Sequence, residues 1–128
     1  MRRIYHLDDE PFMVLVCQQL IHDMLPNAQT FSFRTPESVE KAILNQEPDL
    51  LIVDLYLEYE TGIKVLSRIA DLGFRVPAII FTAYTGMYYS KCSDLDHLRY
   101  KGQIEVISKN EHASVISASL AKFLHFVV

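Results

Sequence analysis

Cysteine, glycine, proline and tryptophan are all scarce in this chain of 128 residues and 14.8 kDa. Two cysteines cannot build a disulfide framework or a four-thiolate zinc site, so we exclude the disulfide-rich secreted class and expect a reducing compartment. The four glycines and five prolines fall between periodic segments, and the sequence contains no repeat, low-complexity tract or linker. The length and this pattern predict a single domain over residues 1–128.

The chain also lacks a basic excess and a long apolar run. Twelve basic residues stand against sixteen acidic ones, and a net charge of −4 gives no attraction to nucleic acid or to an anionic membrane. No apolar stretch approaches the roughly 20 residues of a membrane span, and the first residues lack the ~7–15 apolar residues of a secretory signal. We therefore expect a cytoplasmic domain that binds neither nucleic acid nor membrane directly.

Half of the residues are hydrophobic, and their spacing alternates between two periods along the chain. Short apolar runs typical of strands precede stretches with helical spacing, and the alternation predicts five strand–helix units. Residues 50–53 are apolar throughout, as in strands that helices cover on both faces. The pattern predicts an α/β fold with a doubly wound, five-stranded parallel sheet. The predicted strands are residues 2–7, 28–33, 50–53, 77–81 and 104–108, and the last predicted helix is residues 111–126.

Polar groups stand at the carboxyl ends of these predicted strands. Because such ends meet at one edge of a parallel sheet, where ligands bind, we expect the groups to converge. Clustered carboxylates repel one another unless a cation joins them, and an all-oxygen donor set favours Mg²⁺. A lysine and a hydroxyl at the same edge would suit phosphoryl oxygens, so the pattern favours phosphoryl transfer to an aspartate. The groups are Asp8, Asp9 and Glu10 after the first strand, Asp54 after the third, Thr82 ending the fourth and Lys109 after the fifth.

Each of these residues alone has an ordinary structural explanation. An aspartate after a buried strand is often a turn former or helix cap, and acidic residues before a helix stabilise its positive end. A strand threonine such as Thr82 and a surface lysine such as Lys109 are usually structural as well. The joint pattern favours a functional site, because every group falls where one rim of the sheet requires it.

Four motifs resemble those of the response-regulator receiver domains of two-component signalling, and together they span most of the chain. They are LDDEP at residues 7–11, LIVDL at 51–55, IIFTA at 79–83 and ISK at 107–109. Gly62 stands eight residues after Asp54, and Gly102 stands seven before Lys109, as in the family. The resemblance implies a flavodoxin-like (βα)5 fold with strand order 2-1-3-4-5.

The resemblance also implies how a phosphoryl group would be received and used. Asp54 is then the phosphoacceptor, which attacks a phosphohistidine on a histidine kinase or phosphotransfer protein. Lys109, Thr82 and the backbone N–H of Ala83 then bind the phosphoryl oxygens. Phosphorylation biases a two-state equilibrium on the face of the fourth helix, fifth strand and fifth helix, where a downstream protein binds. Such a domain is no enzyme beyond the transfer and loss of its own phosphoryl group.

Mg²⁺ is the cofactor that the resemblance implies. Asp9 and Asp54 would bind the ion directly, and Asp8 would act mainly through water. The backbone carbonyl of Tyr56 would be a further ligand, so the identity of that side chain does not matter for the metal.

The chain departs from the family pattern at several positions. Asn110 stands where a cis-proline usually follows the lysine, and since a cis bond before a non-proline residue costs about 2.5–4 kcal/mol we expect a trans bond. Val106 replaces the usual aromatic switch residue and is too short to swing between two pockets. Thr61 replaces the usual aspartate before Gly62. The segment of residues 82–102 is longer than is typical, which alters the fourth helix.

Other functions stay open at this point. A constitutive interaction or dimerisation module would keep the fold and lose the switch, in line with Val106 and Asn110. A phosphatase is disfavoured because Tyr56 stands where a second acid would protonate the leaving group. A nucleotide- or flavin-binding domain is disfavoured because no glycine-rich loop follows the first strand. We expect a stand-alone receiver, and whether it forms a homodimer stays open.

Two tyrosines each stand two residues after a predicted site residue. Tyr56 follows Asp54 in this way, and Tyr84 follows Thr82. They either cover the rim or obstruct the in-line approach of water to an acyl phosphate, and in the second case the acyl phosphate lasts longer.

Overall fold

The computed structural model of the chain describes residues 2–82, 104–108, 114–118 and 121. Residues 114–118 and 121 are helical. Each predicted strand is present within one residue of its predicted bounds. The other elements in chain order are β1 (Arg3–Leu7), α1 (Pro11–Met24), β2 (Gln29–Phe33), α2 (Pro36–Asn45), β3 (Leu50–Val53), α3 (Gly62–Asp71), β4 (Ala78–Thr82) and β5 (Ile104–Ser108).

The five strands form one sheet in the order β2-β1-β3-β4-β5, and every neighbouring pair is parallel. Parallel neighbours need crossover connections, and α1, α2 and α3 supply those between β1 and β4. The chain starts at β1, moves to the edge at β2 and returns past β1 to β3. The order of connection therefore reverses between β1 and β3, and this confirms the predicted doubly wound, flavodoxin-like fold.

Successive residues of the central strands point into two separate cores. On β3, Leu51 and Val53 belong to the core beneath α2 and α3, whereas Leu50 and Ile52 belong to the core beneath α1. The four side chains are fully buried. A strand covered on both faces gains hydrophobic burial at every position, which explains why residues 50–53 contain no polar residue.

Local signals fix the beginnings and ends of the helices that flank the site. The Thr61 hydroxyl accepts the backbone N–H of Lys64 at 3.3 Å and caps α3, as Thr35 caps α2. After α3 the chain turns through Gly73, whose φ of +93° favours glycine. These signals set the lengths of the connections between strands.

The structure tests the last predicted helix in part. Ile116 is buried as its spacing predicts, but Val115 is 46% exposed, so the prediction that it is buried was wrong. Among the described residues, no helix has the length and apolar character that crossing a bilayer requires. Of the predicted long segment at residues 82–102, all but Thr82 lies outside the described residues, and so does the peptide bond before Asn110.

Candidate functional site

The backbone holds two of the predicted site aspartates immediately beyond neighbouring strands. Asp8 follows β1, and its N–H donates to the carbonyl of Phe33 at 3.1 Å. Asp54 follows β3, and its N–H donates to the carbonyl of Leu7 at 3.0 Å. The strand pairing therefore continues one residue past β1 and β3. Because these bonds are part of the sheet, the two acidic residues are fixed relative to each other before any ligand binds.

Three carboxylates converge at this edge of the sheet. Asp8, Asp9 and Asp54 each offer an oxygen, and these atoms all lie within 4.8 Å of one another. Asp8 is fully buried, Asp54 is 8% exposed and Asp9 is half-buried. The Asp8 Oδ1 accepts the backbone N–H of Glu10 at 3.0 Å, and the buried His6 Nε2 lies 4.0 Å from Asp8 Oδ2. The convergence of these acids from two strand ends agrees with the prediction.

The donor chemistry of this cluster fits Mg²⁺. At the 4.8 Å limit, two ionised carboxylate oxygens repel each other by about 3–4 kcal/mol at an effective dielectric constant of 20. A divalent cation between them attracts both, and this attraction outweighs the repulsion. Every donor is an oxygen, as hard cations require. Mg²⁺ is also the ion that the resemblance to receiver domains implies.

The segment between β3 and α3, residues 54–61, is called here the acceptor loop. It folds back on itself through two backbone hydrogen bonds, from Gly62 N–H to the Leu55 carbonyl at 2.7 Å and from Leu57 N–H to the Glu60 carbonyl at 3.0 Å. Between them, Tyr56 faces Thr61 in an antiparallel bridge. In this kind of pair the two facing residues do not exchange hydrogen bonds, so neither bond uses the Tyr56 carbonyl.

Gly62 is required by space rather than by backbone conformation. Its φ is not positive, since Gly73 is the one described glycine with a positive φ. A Cβ at position 62 would overlap the carbonyl oxygen of Asp54 and lie 2.7 Å from Val53 Cγ1. The start of α3 therefore packs directly against the backbone of the predicted phosphoacceptor.

An ion-pair network lies beside the acceptor loop, and the sequence did not predict it. The Arg68 guanidinium on α3 donates to Glu40 on α2 and to Glu60 in the loop. Hydrogen bonding to Arg68 lowers the pKa of Glu60, and the two carboxylates raise the pKa of Arg68. No local spacing in the sequence predicts this network, because Arg68 lies eight residues from Glu60 and 28 residues from Glu40.

The remaining predicted site residues are described in part. Thr82 is fully buried at the carboxyl end of β4, in register with Ser108 at the end of β5. Lys109 directly follows Ser108, and both Lys109 and Ala83 lie outside the described residues. Val106, where the family usually has an aromatic residue, is half-buried against the core beneath α2 and α3.

The sequence model of the response regulator receiver domain matches residues 4–121, and the chain belongs to this family. It is therefore a signalling domain of two-component systems, and such domains interact with histidine kinases and downstream targets. The sensory transduction protein LytT of Bacillus subtilis is 28% identical over 103 residues, which cover 78% of this chain and 41% of LytT. The chain thus matches about two-fifths of the length of that relative.

Solved structures with the same fold include several receiver domains. A CheY-like response regulator receiver domain protein from Methanospirillum hungatei is 18% identical, with a TM-score of 0.76 over 98% of this chain and 95% of the other. The receiver domain of a Francisella response regulator is 16% identical, with a TM-score of 0.72 and full coverage of both chains. At these identities the likeness establishes the fold alone.

Proposed function

We propose that residues 1–128 form one receiver domain that accepts a phosphoryl group on Asp54 in the presence of Mg²⁺ and thereby changes its binding to other proteins. The convergence of Asp8, Asp9 and Asp54 within 4.8 Å carries this proposal. The sequence match to the receiver family supports it. A donor with a phosphohistidine, on a histidine kinase or a phosphotransfer protein, fits this chemistry.

The proposed transfer needs a nucleophile, a place for negative charge and a leaving group. A carboxylate oxygen of Asp54 attacks phosphorus, the P–N bond of the phosphohistidine breaks, and the imidazole nitrogen keeps the bonding electron pair. Asp9, Asp54 and the Tyr56 carbonyl would hold Mg²⁺, with Asp8 acting through water. The ion would offset the negative charge of the carboxylates and phosphoryl oxygens. We assign the binding of those oxygens to Thr82, which ends β4, and to the Ala83 N–H and Lys109, which follow β4 and β5 in the sequence.

Partner binding is the output of the proposed switch. We assign it to the face that the resemblance implies, made by a predicted fourth helix, β5 and a fifth helix, with a downstream protein or a second copy of the chain as the partner. The composition, with no basic excess, supports a protein partner rather than nucleic acid or membrane. A cytoplasmic location follows from a phosphohistidine donor and from the two reduced cysteines that we expect.

Phosphorylation by a small-molecule donor tests the proposal. We expect acetyl phosphate with Mg²⁺ to add the mass of one phosphoryl group to the intact protein, and the Asp54→Asn variant to show no gain. Asp71→Asn removes the same charge from the exposed end of α3 and serves as the matched control. An unmodified parent protein at saturating Mg²⁺, or an equal gain in Asp54→Asn, would contradict the proposal.

A further inference from the structure

Arg68 connects three parts of the molecule beside the candidate site. Its Nε donates to Glu40 Oε1 at 2.7 Å and its Nη1 donates to Glu60 Oε2 at 2.7 Å, while Nη2 donates to the second oxygen of each carboxylate. Both carboxylates are thus bound through two oxygens by one planar group. The Arg68 side chain is 43% exposed, whereas those of Glu40 and Glu60 are 18% and 20% exposed. We call this arrangement the Arg68 clamp.

We propose that Arg68 is a positioning residue for the metal site, which holds the acceptor loop so that the Tyr56 backbone carbonyl is presented to Mg²⁺. This inference rests on the proposed function, because it concerns the same ion. It adds a residue outside the four receiver motifs, on the second turn of α3. Arg68 itself touches neither the ion nor the phosphoryl group in this assignment.

The backbone of the loop transmits the position of Glu60 to Tyr56. The Glu60 carbonyl accepts the Leu57 N–H at 3.0 Å, so Glu60 is hydrogen-bonded to the residue that follows Tyr56. Thr61, adjacent to Glu60, faces Tyr56 across the bridge. A displacement of Glu60 would therefore also displace Tyr56, whose backbone carbonyl is the predicted ligand. The clamp prevents this displacement by tying Glu60 to α3 and, through Glu40, to α2.

Removal of the Arg68 side chain should change Mg²⁺ affinity in opposite directions, depending on whether Arg68 acts by positioning the loop or by its charge. The Arg68→Gln variant loses a positive charge and leaves two carboxylates without that counterion, so charge alone predicts tighter Mg²⁺ binding. Positioning predicts weaker binding, because the loop loses the contact that orders its carbonyl. Loss of an outer-shell partner typically weakens metal affinity by 10- to 100-fold, and we expect about tenfold for this exposed clamp.

Two measurements on Arg68→Gln test the inference. Amide hydrogen exchange of the metal-free protein reports the loop directly, and we expect the Leu57 and Gly62 N–H groups to exchange about tenfold faster than in the parent. Calorimetric titration with Mg²⁺ gives the dissociation constant, which we expect to rise about tenfold. Arg75→Gln is the matched control. It removes the same charge from an exposed position before β4, at the amino-terminal ends of the strands and away from the site. We expect it to change neither quantity.

Arg68→Lys keeps the charge but cannot bind both carboxylates through two oxygens each, so an intermediate Mg²⁺ affinity supports positioning. An affinity in Arg68→Gln that equals or exceeds that of the parent overturns the inference, and so does unchanged exchange at Leu57 and Gly62. If the parent protein itself binds no Mg²⁺, the proposed function fails and the inference falls with it. Faster exchange with a normal affinity shows that the clamp orders the loop without serving the metal, and this also overturns it.

Discussion

Substitution of Gly62 by alanine tests the close contact between α3 and the predicted phosphoacceptor. In a helix, alanine is more favourable than glycine by up to about 1 kcal/mol, so propensity alone predicts a more stable protein. The structure predicts the reverse. The added Cβ would overlap the Asp54 carbonyl oxygen and lie 2.7 Å from Val53 Cγ1. A backbone carbonyl cannot rotate away as a flexible side chain can, so either α3 or Asp54 must shift.

The size of the effect follows from the cost of overpacking. Adding a methyl group to a tightly packed site costs typically 1–3 kcal/mol, and the overlap with a backbone oxygen favours the upper half of that range, about 2–3 kcal/mol. The helical gain of about 1 kcal/mol is subtracted from this cost. We expect Gly62→Ala to lose about 1–2 kcal/mol of unfolding free energy, equivalent to a fall of roughly 4–8 °C in the melting temperature for a domain of this size. Because Asp54 either shifts or loses its packing against α3, Mg²⁺ affinity should fall about tenfold as well.

Gly73→Ala is the matched control for this prediction. Gly73 has a φ of +93°, and no heavy atom lies within 4 Å of an added Cβ. Alanine there is strained by its backbone conformation, at a cost of about 1–2 kcal/mol, but it touches nothing at the site. Thermal unfolding and Mg²⁺ titration of both variants decide the matter. The reasoning is refuted if Gly62→Ala is more stable than the parent, or if both variants lose stability and both keep normal Mg²⁺ affinity.

Three further predictions concern the same edge of the sheet. Without Mg²⁺, Asp9→Asn should be more stable than the parent because a repelling charge is removed. Mg²⁺ at ten times the parent's dissociation constant should stabilise the parent by about 1.4 kcal/mol but not Asp9→Asn; thermal unfolding measures both effects, and Asp71→Asn should respond to Mg²⁺ like the parent. Glu60→Gln should lose less than about 1 kcal/mol at neutral pH, and because Arg68 lowers the pKa of Glu60 this loss should disappear as pH falls through that lowered pKa; a loss that persists in acid would contradict the ion pair. Tyr56→Ala should speed hydrolysis of the acyl phosphate roughly fivefold, equivalent to ~1 kcal/mol of barrier, measured against Tyr59→Ala on the same loop; equal rates would end the water-exclusion hypothesis.

The central strands could be predicted from the sequence because they are buried on both faces, which favours apolar residues at every position. Residues 50–53 read as a strand covered on both faces, and all four side chains are fully buried in two cores. A parallel sheet places every such strand in the same environment, so the apolar run itself is the signal. The edge strand β2 is more polar and mostly exposed, yet the sequence still predicted a strand over residues 28–33.

The orientation of α1 could not be predicted from periodicity. Its apolar residues extend over more than one helical face, and the structure buries Cys17 and Ile21. Phe12 and Leu15 are 68% and 65% exposed, although their spacing fits the same helix. When a helix carries more apolar residues than the sheet can cover, periodicity predicts the helix but not which of its faces is buried.

The site divides in the same way between what strand ends determine and what tertiary contacts determine. Asp8 and Asp54 could be brought together from the sequence, because each directly follows a strand and the ladder bonds extend to both residues. Arg68 could not, since its partner on α2 lies 28 residues away and no strand fixes either end. Gly62 is intermediate between these two cases. Its spacing from Asp54 identified it as a residue of the family pattern, but only the position of the Asp54 carbonyl shows why a side chain is excluded there. The carboxylates of this site are thus specified by the sheet, whereas the loop that completes it depends on contacts between helices, and substitutions there should alter metal affinity while leaving the fold intact.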